Sequence, residues 1–152
     1  MKDMHDNHYP HLAIMAVLSF IAMYILMYAM VARFGDVYNN INQVYMAGLM
    51  TAPMVVIELV VMRAMYHDKR LNVMIIGGSI VVGVLLFTAI RQQTMVTDGQ
   101  FLRSMIPHHS GAILMCGEAR LEDAEIRRLC ESIMTSQQQE IDQMNAILRR
   151  LP

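Results

Sequence analysis

Apolar residues are spread unevenly along this chain. Residues 12–32, 44–62 and 73–90 are three almost continuously apolar runs, whereas from Thr97 onward apolar positions alternate with charged ones at helical spacing. A bilayer core takes about 20 helical residues to cross, so each run is predicted to be a transmembrane helix. The periodic part predicts two further helices, over 98–120 and 124–150. They are separated at "RLEDAE", where Asp123 is the expected N-cap and Glu125 suits the positive end of the following helix. A connection this short makes the two helices antiparallel. The expected chain is all-α, with a His-containing leader over 1–11, a transmembrane region over 12–92 and a helical hairpin over 97–150.

The first run, "LAIMAVLSFIAMYILMYAMVA", is over-long for a secretory signal and lacks a small-x-small cleavage pair, so it reads as a retained helix. In the second run Pro53 is expected to kink the span. Glu58 lies in the same run, and a charge at the bilayer centre costs about 2.5–3.5 kcal/mol, so it is expected to face a partner or a cavity. Ser79 and Gly83 have the spacing that lets membrane helices approach closely. Arg63, Lys69 and Arg70 lie between the second and third runs, while Arg33 is offset by Asp36 after the first. This bias puts the amino terminus and second loop inside a bacterial cytoplasmic membrane, and the carboxy-terminal segment in the periplasm.

The net charge of −1 carries no basic footprint for nucleic acid. About 55 residues outside the membrane are too few for a sizeable independent core, so the soluble part needs a staple, a metal or a partner chain. Seventeen methionines, six histidines and two cysteines then bring soft-metal chemistry into view. Not every methionine belongs to it. Met46, Met50, Met54, Glu58 and Met62 recur every four residues, but such steps drift about 40° each around a helix, so the row wraps the surface and reads as packing. Met23, Met27 and Met30 read the same way. In the leader, His5, His8 and His11 beside Met4 have a spacing that can bind a transition metal, although Pro10 interrupts a helix there.

The hairpin is the stronger candidate. In an antiparallel pair, positions summing to roughly 246–249 lie level. Met105 is then level with Met144, Met115 with Met134 and Cys116 with Cys130, and His108 and His109 come level with Gln138 to Glu140. At 100° per residue, Met105, His109, Ala112 and Cys116 share one face, while His108 and Met115 fall on a neighbouring stripe. His109 and Cys116 are about 10.5 Å apart along the axis, too far to share one ion. Two levels are therefore expected, one of Met105, His108 and His109 with Glu140 or Met144, the other of Met115, Cys116, Cys130 and Met134. Thioether and thiolate ligands select Cu(I) and the similar Ag(I), and imidazole suits copper in either state. Each sulfur also has a plainer reading, the methionines as core and the cysteines as a disulfide or buried thiols.

"FLRSMIPHHSGAILM" followed by "IRRLCESIMTSQQQEIDQM" resembles the domain of unknown function 305 family, a ferritin-like group of helical bundles. The resemblance covers about residues 98–148 and rests on Met105, Ile106, His108, His109, Ala112, Ile113 and Met115, then Ile133, Gln137, Glu140, Ile141 and Met144. It implies an extracytoplasmic helical domain, with some relatives linked to copper or silver. Many relatives carry two such hairpins. A chain with one implies a homodimer or higher homo-oligomer that completes a four-helix bundle, with His108 and Met115 facing the partner.

The expected function is a non-enzymatic, membrane-anchored protein that binds copper or silver ions. A ferritin-like di-iron oxidase fits less well, because such sites use Glu-x-x-His and the residue three before His108 is Met105. A structural or signalling module, whose hairpin mediates oligomerisation, is the other alternative. Nucleophilic catalysis is disfavoured, since two turns separate His109 from Cys116, and Gly77–Gly78 lacks the Lys-Ser/Thr of a phosphate-binding loop.

Overall fold

A computed structural model describes residues 8–151, so His5 and Met4 of the leader lie outside the described residues, and every regular element among those described is helical. The helices are α1 (Tyr9–Leu26), α2 (Ile41–Val61), α3 (Lys69–Gln92), α4 (Asp98–Glu118) and α5 (Ala124–Arg150), with 3₁₀ turns at Met27–Met30 and Phe34–Asp36. Three stretches, Tyr9–Met30, Ile41–Val61 and Lys69–Gln92, are long and apolar enough to cross a membrane. Their large apolar side chains point outward, with Leu18 60 % and Val73 70 % exposed. Water would penalise such a surface and lipid would not, which marks a membrane protein.

The described chain divides into two units, one made of residues 8–26 with Val44–Thr94, the other of Met27–Gln43 with residues 95–151. In the first, Leu12, Leu59 and Tyr66 form a buried cluster, with Tyr9, Met15, Val55, Ile75 and Ile76 against it. Gly48 marks a close approach, because a Cβ there would meet Leu86 Cδ1 at 2.7 Å. A Cβ added at Gly83 would lie 3.7 Å from the Ala52 Cβ, in keeping with small residues letting membrane helices close up. α2 runs on through Pro53. Asp68 caps α3 by accepting from the Arg70 and Leu71 amides.

Pro10, expected to interrupt a helix, instead lies at the second position of α1. In a first turn its missing N–H has no partner to lose and its fixed φ is already helical. The helix therefore starts earlier than hydropathy suggested, and the Leu12 amide donates to the His8 carbonyl.

In the second unit Thr97 caps α4 and Asp123 caps α5, accepting from the Glu125 and Ile126 amides. α4 and α5 pack along their length. Leu102 and Ile106 from α4 meet Ile141 and Met144 from α5, and Met105, Ile113, Ile147, Leu148 and Tyr38 close round them. Early residues of one helix meet late residues of the other, so the two run in opposite directions. The surprise is Met27–Gln43. Hydropathy put it with the membrane region, yet it packs on α4 within this unit. Polar contacts decide the matter. Ser110, fully buried, donates to Asp36 Oδ2 at 2.6 Å and accepts from the Ala32 amide at 2.9 Å. Tyr38 donates to Asn145 Oδ1 on α5 at 2.9 Å.

Candidate metal centre on the α4–α5 pair

Pro107 lies inside α4, and having no N–H it leaves the Arg103 carbonyl without its helical donor. The buried Asn40 Nδ2 takes that place, donating to the Arg103 carbonyl at 3.4 Å and to the Tyr38 carbonyl at 3.0 Å. Asn40 Oδ1 meanwhile accepts from the Gln43 amide at the start of α2. The helix thus stays continuous across its proline, and the histidines that follow keep their register with Met105.

His109 is 8 % exposed. Its Nδ1–H donates to the Met105 carbonyl at 2.8 Å, and its Nε2 faces Glu140 Oε2 on α5 at 2.7 Å. The other carboxylate oxygen, Oε1, accepts from the Ser136 hydroxyl at 3.0 Å. Glu140 is therefore held from both sides. The hydrogen bond from His109 first, and that from Ser136 second, keep its carboxyl below the usual glutamate range, with partial desolvation working the other way and the His109 charge adding a smaller pull. With Nδ1–H committed to a carbonyl, Nε2 has two options. It carries a proton donated to the carboxylate, or it offers a lone pair. A backbone carbonyl on one ring nitrogen is how proteins commonly aim the other at a metal.

The fit to an ion can be tested on this geometry. An imidazole nitrogen and a carboxylate oxygen bonded to one ion at about 2.0–2.2 Å lie about 3 Å apart, close to the separation of His109 from Glu140. Two donors of the expected upper level thus meet. Met144 is buried in the adjoining core and Met105 packs against that core. His108 does not join them. Its side chain is exposed, with its ring centre 6.1 Å from that of His109, because successive helical residues point about 100° apart. Among the described residues no three His, Cys, Asp or Glu side chains converge on one point.

The lower level has to be corrected. Cys116 and Cys130 are joined in a disulfide, their Cα atoms 5.2 Å apart, so neither offers the thiolate that ligation needs. Met134 lines a recess of about 200 Å³ beside the disulfide. Met115 is 54 % exposed and does not line that recess. Of the nine residues expected to bind metal, His109 and Glu140 are thus in direct contact, Met105 and Met144 belong to the core that α4 and α5 share, and His108, Met115, Cys116, Cys130 and Met134 are not brought to the pair.

Sequence reasoning passed over Ser110, Asp36, Asn40 and Ser136, which hold the site in place. One signal was available. Ser110–Gly111 follows the histidine pair in an otherwise apolar stretch, and Gly111 is where the Met30 carbonyl comes within 3.4 Å of a would-be Cβ.

A family model described as "Domain of unknown function (DUF305)" matches residues 87–148, which takes in His109, Glu140 and both cysteines. Uncharacterized protein L153 of Acanthamoeba polyphaga mimivirus is 35 % identical over 138 residues, covering 89 % of each chain. The chain belongs to the DUF305 family. A match of that extent necessarily runs across α2, α3 and α4 of this DUF305 protein. No solved structure matches the chain.

Proposed function

We propose that this protein is a membrane-anchored metal-binding protein that captures copper or silver ions on the outer side of the cytoplasmic membrane, for buffering, delivery or resistance. One observation carries the reading. A buried imidazole has its Nδ1–H pinned to a backbone carbonyl and its Nε2 aimed at a carboxylate on the neighbouring helix. His109 Nε2 and Glu140 are the first two ligands, and an arriving ion displaces the proton between them, so capture releases a proton. This nitrogen and oxygen pair suits Cu(II), and a thioether from Met105 or Met144, both in the core shared by the two helices, would extend the range to Cu(I) and Ag(I).

Three crossings, if all three apolar helices span, would leave α4 and α5 on the opposite side of the bilayer from the start of α1. The loop charges favour a periplasmic location for α4 and α5, and the Cys116–Cys130 disulfide fits an oxidising compartment. Only two long helices supply the bundle here, and Ile126 and Leu129 on α5 are 48 % and 58 % exposed. A second copy covering them would complete a ferritin-like four-helix bundle.

Titration of the full chain in detergent with Cu(II), followed by electron paramagnetic resonance, tests the reading. Wild type is expected to bind one ion with nitrogen coupling, and His109→Ala to weaken binding at least tenfold. Equal affinity in both refutes it.

A structural reading has its own support, since both His109 ring nitrogens already have partners and the pair clamps α4 to α5 without an ion. On that reading thermal stability is the same with and without copper, whereas an ion bound only by the folded chain raises it.

A further inference from the structure

The membrane unit holds a cavity of about 420 Å³ lined by His8, His11, Leu12, Met15, Glu58, Met65 and Tyr66. Its residues come from three separate segments: the start of α1, the last turns of α2, and the α2–α3 connection. Five of the seven carry a metal-ligating atom, and nothing in the α4–α5 centre uses any of them. We propose that this cavity is a second binding site, for a soft monovalent cation such as Cu(I) or Ag(I), held by the Met15 and Met65 thioethers and the His8 and His11 imidazoles with Glu58 as counter-charge.

Local structure sets the ligands up. His8 stands just before α1, and His11 and Met15 follow at helical steps of three and four, which stack on one face of a helix. The His8 and His11 ring centres are 6.4 Å apart. Two imidazoles bonded across one ion at about 2.0–2.1 Å have centres about 6 Å apart, a separation that the His8 and His11 rings match.

Glu58 sits near the end of α2, away from the middle of the span, with Tyr66 donating to its Oε1 at a long 3.5 Å. Tyr66 is itself held among neighbours, its ring 5.3 Å from that of Tyr9 and 6.4 Å from that of His8. A carboxylate beside lipid is costly unless paired, and a cation in the cavity would pair it.

The donor set decides the class of ion. Two imidazoles and one carboxylate do not converge closely enough by themselves to hold a metal. The two thioethers supply the remaining donors, and thioethers select soft ions over Mg²⁺ or Ca²⁺, which ask for several oxygens. A mostly apolar surround with a single negative charge also favours a single positive one.

This inference stands apart from the His109–Glu140 centre, and its test removes that centre first. The full chain carrying His109→Ala and Glu140→Gln is purified in detergent and titrated anaerobically with Cu(I) against a chromophoric Cu(I) chelator. One Cu(I) per chain is expected to remain. Adding Met15→Leu and Met65→Leu, which keep volume and remove only sulfur, is expected to weaken that ion at least tenfold, and His8→Gln with His11→Gln to abolish it. A background chain that holds no Cu(I), or leucine variants that bind as tightly as the background, overturns the proposal.

Discussion

Reducing the Cys116–Cys130 disulfide should loosen the α4–α5 pair by an amount that can be worked out beforehand. The bond closes a loop with a sequence separation of 14. For a loop of about 15 residues, lost chain entropy in the unfolded state is worth about 3 kcal/mol at 25 °C. The disulfide lies wholly within the second unit, so the measurement has to be local to it. Amide hydrogen exchange at Ile106 and Ile141, buried on facing helices of the core, reports that opening. At 1.4 kcal/mol per factor of ten, the loss predicts exchange roughly 100-fold faster in Cys116→Ser/Cys130→Ser than in wild type. Amides near the amino end of α3 should not change, which separates local opening from damage to the whole chain. An acceleration below about fivefold would refute the reasoning, and would mean that apolar packing alone holds the turn closed.

Ser110→Ala removes a buried hydroxyl that donates to Asp36 and accepts from the Ala32 amide. One bond to a charged group and one to a neutral group together amount to about 2–4 kcal/mol. Limited proteolysis between Met27 and Gln43 should then speed up at least tenfold, and an unchanged cleavage rate contradicts this. Glu140 titrates below the usual glutamate range because His109 and Ser136 hydrogen-bond its ionised form. A depressed folded-state value stabilises the pair above the unfolded glutamate pKa, and that stabilisation is lost as pH falls through the lower folded value. An NMR titration of the Glu140 carboxyl should move up towards the ordinary range in His109→Ala, and no movement would show that the pair does not govern it.

The helices were legible because their causes are local. Expected spans of 98–120 and 124–150 became Asp98–Glu118 and Ala124–Arg150, with Asp123 as the cap of the second. Hydropathy marked the three long apolar helices, although it missed that Pro10 could open the first one. Simple register arithmetic for an antiparallel pair went further. It put Cys116 level with Cys130 and His109 level with Glu140, and both pairs are in contact. Rise and turn per residue are constants of the backbone, so once two helices are joined by a short link their side-chain levels follow.

What the sequence by itself determined, then, was the all-helical character, the three apolar helices and the levels at which α4 and α5 meet. Tertiary structure alone decided which chemistry those levels carry. Angular arithmetic separates His109 from His108, but it does not say that His109 buries its ring against a carboxylate 31 positions away while His108 stays exposed. The cysteines were equally consistent with ligand and disulfide until the distance between them was known. Asn40 repairing the gap left by Pro107, and the cavity that joins His11 to Glu58 and Met65, bring together residues far apart in the chain. No local pattern records such meetings, because they come from how finished helices pack against one another and from the polar groups that packing must satisfy.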